Sequence, residues 1–246
     1  MAGHSKWANI KRHKAKMDAM RSNIISKTLR EVMLAARHGG GNPDGNFRLK
    51  IAIERARAAN VALDSINRAI KRGTGELNDG AQVEELVYEG YGPGGTAVLV
   101  EAATDNRNRT AGEIRFIFSK HGGRLGEIGS VAWMFEQKGV IVIEKGNLTE
   151  DDVLTMAIEG GAEDVKEEDD SFVVYTAPSD LDSVRKHLQS DPRVVIQSAE
   201  LDMTPKATVS VEGEEAEKVI RLLEALDDHD DVTKVYSNFD MPDQEA

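Results

Sequence analysis

Over the first seventy residues, apolar positions recur at the spacing of a helix face. Met17, Met20, Ile24, Leu29, Val32 and Ala36 predict one helix over 18–38. Gly39-Gly40-Gly41 stops it, and NPDG at 42–45 continues the break. A second helix is predicted over 47–59, with Phe47, Ile51 and Ala58 on one side. Asp64 or Ser65 is placed to cap a third, which ends at Gly73. Three short helices make a small bundle. GTGELNDG at 73–80 is the best linker candidate in the chain.

Beyond residue 80 the pattern changes to short β-branched runs bounded by turns. Strands are predicted at 84–90, 96–103, 130–136, 139–144, 162–167, 171–177, 194–203, 206–211 and 232–238. Helical patterns lie at 107–121, 149–160, 179–190 and 213–227. The order over 139–203 is therefore that of a ferredoxin-like β-α-β-β-α-β unit. The flanking pieces, 96–136 and 206–238, spell the same order when joined. The predicted fold is multi-domain α and α+β: an N-terminal three-helix bundle plus two ferredoxin-like domains, one inserted in the other. The expected domains are 1–75, a discontinuous 76–137 with 205–246, and an inserted 138–204. Three unrelated α+β pieces in series is the alternative.

Charge changes the picture once it is divided. Residues 1–72 hold 16 Lys/Arg and 5 Asp/Glu, a net of +11, while the remainder carries −23 and the whole chain −12. Such asymmetry points to a nucleic-acid-binding segment joined to a body with another role. The chain has no cysteine, which excludes disulfides and thiolate metal sites. No apolar run reaches the roughly 18 residues that span a bilayer, and no signal-peptide core follows the basic opening. A cytoplasmic protein without a membrane partner is expected.

The opening GHSKWANIKRHKAK, residues 3–16, carries five cations and no acid. Lys6, Lys11, Arg12, Lys14 and Lys16 suit phosphate, with His13 beside them and Arg21 following. Trp7 can either stack on a base or pack on the bundle. Basicity continues through Arg30, Arg37, Arg48, Lys50, Arg55, Arg57, Arg68, Lys71 and Arg72. GGGNPDGN at 39–46 lacks the Lys-Ser/Thr of a Walker A loop and follows a helix instead of a strand. Gly39, Gly40, Gly41 and Asn42 either let an RNA backbone approach closely or simply turn the chain between helices. TDNRNRT at 104–110 reads as a capped helix start. Arg107, Arg109, Arg115, Lys120 and Arg124 form a secondary basic cluster there. DDHDD at 227–231 offers oxygens to a divalent cation, although such a run is ordinarily a solvated helix end. The six histidines show no paired ligand spacing and no nucleophile elbow occurs. No cofactor, catalytic residue, metal site or small-molecule substrate is expected.

The long motifs resemble the YebC family, the group that includes the mitochondrial translational activator of cytochrome c oxidase. They are MAGHSKWANIKRHKAKMDAMR, GGGNPDGNFRL, YEGYGPGGTAVLVE, DNRNRT, SKHGGRLGEIGSVAWMF, KGVI, GAED at 161–164 and VYSN near the end. The resemblance runs close to full length, with 165–204 matched only by pattern. It implies a helical first domain, two α+β domains of ferredoxin-like character, and a non-enzymatic regulator of gene expression. Some members are described as DNA-binding transcriptional regulators. Others are described as ribosome-associated translation factors that ease synthesis past proline-rich stretches. Docking on ribosomal RNA is the preferred expectation, because no base-reading helix is identifiable and a body of −23 opposes wrapping along duplex DNA. A metal-dependent enzyme acting on nucleic acid, with DDHDD or other carboxylates as ligands, ranks last, since the acids and the basic segment lie in different parts of the chain.

Overall fold

A computed structural model describes residues 7, 10, 22–77, 83–168 and 170–241. The chain divides into two compact units, one of residues 1–135 with 204–246 and the other of 136–203.

The first unit begins with α1 (Ser22–Gly39), α2 (Phe47–Ala58) and α3 (Leu63–Gly73). Val32, Ala35 and Ala36 of α1 meet Leu49, Ala52, Ile53 and Ala56 of α2 and Ile66 and Ala69 of α3 in one apolar cluster. The buried side of α2 is not the expected one, since Phe47 and Ile51 are only half-buried and Ala58 is exposed. Leu49, Ala52, Ile53 and Ala56 follow the i, i+3, i+4, i+7 rule more closely, and the two alanines admit a close neighbour. Nor do Asp64 or Ser65 cap α3; Ala62 holds the cap position without a side-chain bond, and Asp64 falls within the first turn. A Cβ at Gly73 would lie 2.2 Å from the Met33 carbonyl oxygen, so only glycine lets the end of α3 rest on α1.

The same unit continues with β1 (Glu84–Tyr91), β2 (Ala97–Thr104), α4 (Arg107–Lys120) and β3 (Arg124–Leu125). After the inserted unit come β8 (Val209–Ser210), α7 (Gly213–Asp227), β9 (Val232–Ser237) and β10 (Phe239–Asp240). The sheet runs β3-β1-β2-β9, with β1 and β2 an antiparallel hairpin registered from Glu84 opposite Thr104 to Tyr91 opposite Ala97. Its strands are not the set expected. Residues 132–134 form a short 3-10 turn, and 206–211 contracts to β8, which pairs β10 in parallel. The reason is a contact distant in sequence: the 130–134 segment is held by a side chain of β1 described below. Ala216, Val219, Leu222, Leu223 and Leu226 make the apolar stripe of α7, and with Ile114 and Phe118 of α4 they close the core over Val98, Val100, Val232 and Val235.

The second unit contains most of β4 (Phe135–Glu144), then α5 (Glu150–Glu159), β5 (Asp164–Glu167), β6 (Ser171–Thr176), α6 (Leu181–Leu188) and most of β7 (Ile196–Pro205). Its strand order β5-β6-β4-β7 is the ferredoxin-like order. Thr149 and Asp152 form a reciprocal capping box at the start of α5. Ile141 and Ile143 stand opposite Val174 and Phe172, while Val140 and Val142 stand opposite Tyr175 and Val173. All eight are buried, so the central pair is apolar on both faces.

Candidate nucleic-acid interface

The glycine-rich segment is a hydrogen-bonded joint between α1 and α2. Asn46 is buried and accepts from the Leu49 N–H at 3.0 Å, which caps α2. Its amide donates to the Ala35 carbonyl at 2.7 Å and the Gly40 carbonyl at 2.9 Å, fastening the end of α1. A Cβ at Gly39 would meet the Asn46 side chain at 2.5 Å. Asn42 turns the loop by accepting from the Asp44 N–H at 3.0 Å. Gly39 and Gly40 thus serve the turn, and Gly41 and Asn42 face outward into a hollow.

That hollow has a volume of about 520 Å³ and runs along one whole face of α3. Leu63, Ile66, Asn67, Ile70, Lys71 and Thr74 line it at helical spacing. Ile53 and Arg57, one turn apart on α2, form the opposite wall, and Gly41, Asn42 and Pro43 one end. Glu76 is the acid in the lining. Of the cations expected to contact nucleic acid, Arg57 and Lys71 are thereby brought to one place. Arg48, Lys50 and Arg68 are exposed on the same two helices. These five make no ion pair with any described residue. Arg55 pairs with Glu31 at 3.4 Å, and Arg72 is exposed at the end of α3.

The other expected contacts are distributed differently. Lys6, Lys11, Arg12, His13, Lys14, Lys16 and Arg21 lie outside the described residues. Trp7 is 2 % exposed within the core beside the β3-β1-β2-β9 sheet, and its Nε1–H donates to the Val235 carbonyl at 3.0 Å. Packing wins over stacking here because the ring has no free face to offer a base. Lys27 and Arg30 of α1 are half-buried and Arg37 and His38 are exposed, and each of the four has a partner. The Lys27 ammonium donates to the Asp227 carbonyl, and Arg30 to the Asp230 carbonyl. Arg37 donates to the Val83 carbonyl, and His38 meets Glu85.

The members of the secondary basic cluster have different partners. Arg107 stands 3.7 Å from Glu84, and the Arg109 guanidinium donates to Asp231 at 2.8 Å and Asp105 at 3.1 Å. Arg124 lies over the Tyr91 ring and Lys120 over that of Phe116, and Arg115 is exposed. Arg109 cannot serve a phosphate without abandoning a buried partner.

That partner replaces the solvated helix end expected of DDHDD. Asp231 is 5 % exposed, and its Oδ2 accepts from Thr110 at 2.7 Å, Thr104 at 3.1 Å and Arg109. Oδ1 faces Arg30 at 3.5 Å. Burial pushes the Asp231 carboxyl up, but Arg109 and the two hydroxyls outweigh it, so the net direction is down. Glu113, His229 and Asp231 approach closely enough to share a cation. However, His229 Nδ1 accepts from the Asp231 N–H, its Nε2 meets Glu113 at 2.8 Å, and two guanidiniums already neutralise Asp231. The donor set fits an ion-pair hub better than a metal site.

A second buried acid escaped the sequence reading. Glu89, on β1, is 5 % exposed, and its carboxylate accepts from the N–H groups of Gly129 (2.6 Å), Val131 (2.7 Å) and Ala132 (2.7 Å). Burial raises the Glu89 pKa, yet the three donors together hold it below the usual glutamate value. Tyr91 and Trp133 both donate to the Ser130 carbonyl, at 2.9 and 3.1 Å. This clamp is what converts 130–134 from the expected strand into a shaped loop with Ile128 94 % exposed at its tip. The only advance signal is a lone glutamate within the hairpin YEGY.

A basic helical segment joined to an α+β unit that carries an inserted α+β unit defines the class of protein. Family models match on both sides of the linker: the TACO1/YebC protein N-terminal domain over residues 5–76, and the TACO1/YebC second and third domain over 83–239. The chain belongs to the TACO1/YebC family. It is 55 % identical over 245 residues to a probable transcriptional regulatory protein of Pelotomaculum thermopropionicum, covering 99 % of this chain and 100 % of the relative. A protein of the same description from Moorella thermoacetica is 56 % identical over 246 residues, with 98 % and 96 % covered. The crystal structure of a conserved hypothetical protein from Aquifex aeolicus matches with a TM-score of 0.85 at 47 % identity, over 94 % of this chain and 95 % of that one. Among the described residues no helix is long and apolar enough to cross a membrane.

Proposed function

We propose that the protein is a non-enzymatic, cytoplasmic regulator of gene expression that docks its basic helical segment on ribosomal RNA. It acts there as a translation factor easing elongation at difficult, proline-rich stretches. The observation carrying this reading is the outward display of Arg48, Lys50, Arg57, Arg68 and Lys71 without ion-pair partners among the described residues. Such cations supply sequence-independent, salt-sensitive attraction to phosphate. The acidic remainder turns away from the RNA or meets basic ribosomal proteins. No small molecule, cofactor or membrane enters this scheme.

The description shared by the relatives, probable transcriptional regulatory protein, favours a second reading: duplex DNA bound at promoters. Phosphate contacts are common to both, so the target must be tested directly. Lysate is sedimented through sucrose at low and high salt, and the protein is followed by blotting. The RNA reading expects co-migration with ribosomes that is lost at high salt and on removal of residues 1–72. Absence from every ribosomal fraction together with retention on duplex DNA would establish the second reading instead.

A further inference from the structure

The geometry points to the α2–α3 hollow as a site for an unpaired nucleotide, the base lying on its apolar floor and the phosphates on its cationic rim. This rests on the reading of the helical segment as an RNA-binding surface, and it names what that surface selects. A surface built only for phosphate needs cations and nothing else. This one has an apolar floor of Ile66 and Ile70 meeting Ile53 of the opposite wall, with Leu63 left 58 % exposed. Asn42 and Asn67 bring amides that both donate and accept, the chemistry that a base edge requires. Arg57 and Lys71 stand on opposite walls.

Size and charge agree with that occupant. A volume of about 520 Å³ lies within the roughly 300–1,000 Å³ of small-ligand sites. Eleven residues of α3 span about 16 Å, longer than one nucleotide needs. The lining sets Arg57 and Lys71 against Glu76, and residues 47–73 around it hold seven Lys/Arg and two Asp/Glu, so the walls attract an anion. A paired base cannot enter, because both its faces and its edge are already engaged in the duplex. The hollow therefore discriminates loops and bulges from continuous helix, which is how single-stranded RNA is generally read.

The test uses the full-length protein and two fluorescent RNA hairpins with one stem, fully paired in the first and carrying a single bulged adenosine in the second. Anisotropy titration should show the bulged hairpin binding about tenfold tighter, within what one buried base contributes. Leu63→Ser with Asn67→Ala should erase that preference to within about twofold and leave the paired hairpin's affinity unchanged. Arg48→Gln with Lys50→Gln should weaken both hairpins alike. Equal binding of the two hairpins by the unaltered protein, or a preference that survives in the Leu63/Asn67 variant, would overturn the hollow while leaving the basic surface standing. Failure to bind either hairpin would overturn both. Thermal unfolding checks the double variant, and Asn67→Ala alone replaces it if the fold is weakened.

Discussion

The basic segment contains two stretches that composition cannot tell apart and the structure uses in opposite ways. On α1, Lys27, Arg30 and Arg37 reach the carbonyls of Asp227, Asp230 and Val83, and Arg30 also faces the buried Asp231. On α2 and α3, Arg48, Lys50, Arg57, Arg68 and Lys71 point outward and pair with no described residue. Lys27 and Arg30 are one turn apart and meet the 227–231 turn at the end of α7, where cations are favoured by the carbonyl end of the helix. The α1 cations fasten the helices to an acidic body; the α2–α3 cations remain available to an anion. A count of Lys and Arg is thus not a measure of phosphate-binding surface.

The largest expected effect breaks the fastening. Asp231→Ala strands Thr104, Thr110, Arg109 and Arg30 around a lost acceptor, and should lower the unfolding free energy by about 3 kcal/mol. Hydrogen exchange should then rise in α1 and stay unchanged in α5 and α6. Unchanged stability would remove the hub from the account.

Next comes the contact of α3 on α1. Gly73→Ala places a methyl 2.2 Å from the Met33 carbonyl oxygen and 2.8 Å from the Ala36 Cβ, a clash expected to cost about 2 kcal/mol. Gly112→Ala is the opposite control: it lies within α4 with nothing inside 4 Å of the added carbon and should stabilise by about 0.5–1 kcal/mol. Calorimetric scans that moved both variants in the same direction would contradict the packing described.

The smallest of these effects is graded by pH. Glu89 and Asp231 are pushed up by burial but held lower overall by their donors, so their folded values fall below their unfolded ones. Asp152, lowered first by the Thr149 hydroxyl, and Asp182, lowered first by Lys186, shift in the same direction. Stability from these groups is complete above the unfolded values and is lost as pH falls through the folded ones. Urea midpoints should hold steady from pH 7 to about 5 and drop below about pH 4. Glu89→Gln should lower the midpoint at pH 7 and shrink the later drop. A midpoint rising on acidification would reverse the sign claimed.

Much of this architecture was legible in the chain. Helical patterns placed α2, α4 and α7 within a few residues of their ends, Gly73 marked the end of α3, and β-branched runs marked β1, β2, β6 and β9. What failed had long-range causes. The run at 130–136 has strand-like composition, yet Glu89, some forty residues earlier, takes the backbone N–H groups that a neighbouring strand would need. DDHDD looked solvated because nothing local shows that Arg30 and Arg109 converge on its last residue. Trp7 sits among cations in sequence and among Val98, Val100 and Phe239 in space. For the interface, the cationic residue types were legible but their division between α1 and α2–α3 was not, because it depends on which helix face meets the acidic body.

The central claim is tested most directly by the salt dependence of RNA binding in two charge-matched variants of the full-length protein, Lys27→Gln with Arg37→Gln and Arg57→Gln with Lys71→Gln. The account predicts that the first leaves the slope of log affinity against log salt unchanged. The second should flatten the slope by about 1.4–1.8, the loss of two phosphate contacts. Equal slopes for the two variants, or a flattening confined to the α1 pair, would contradict the division of labour between the helices.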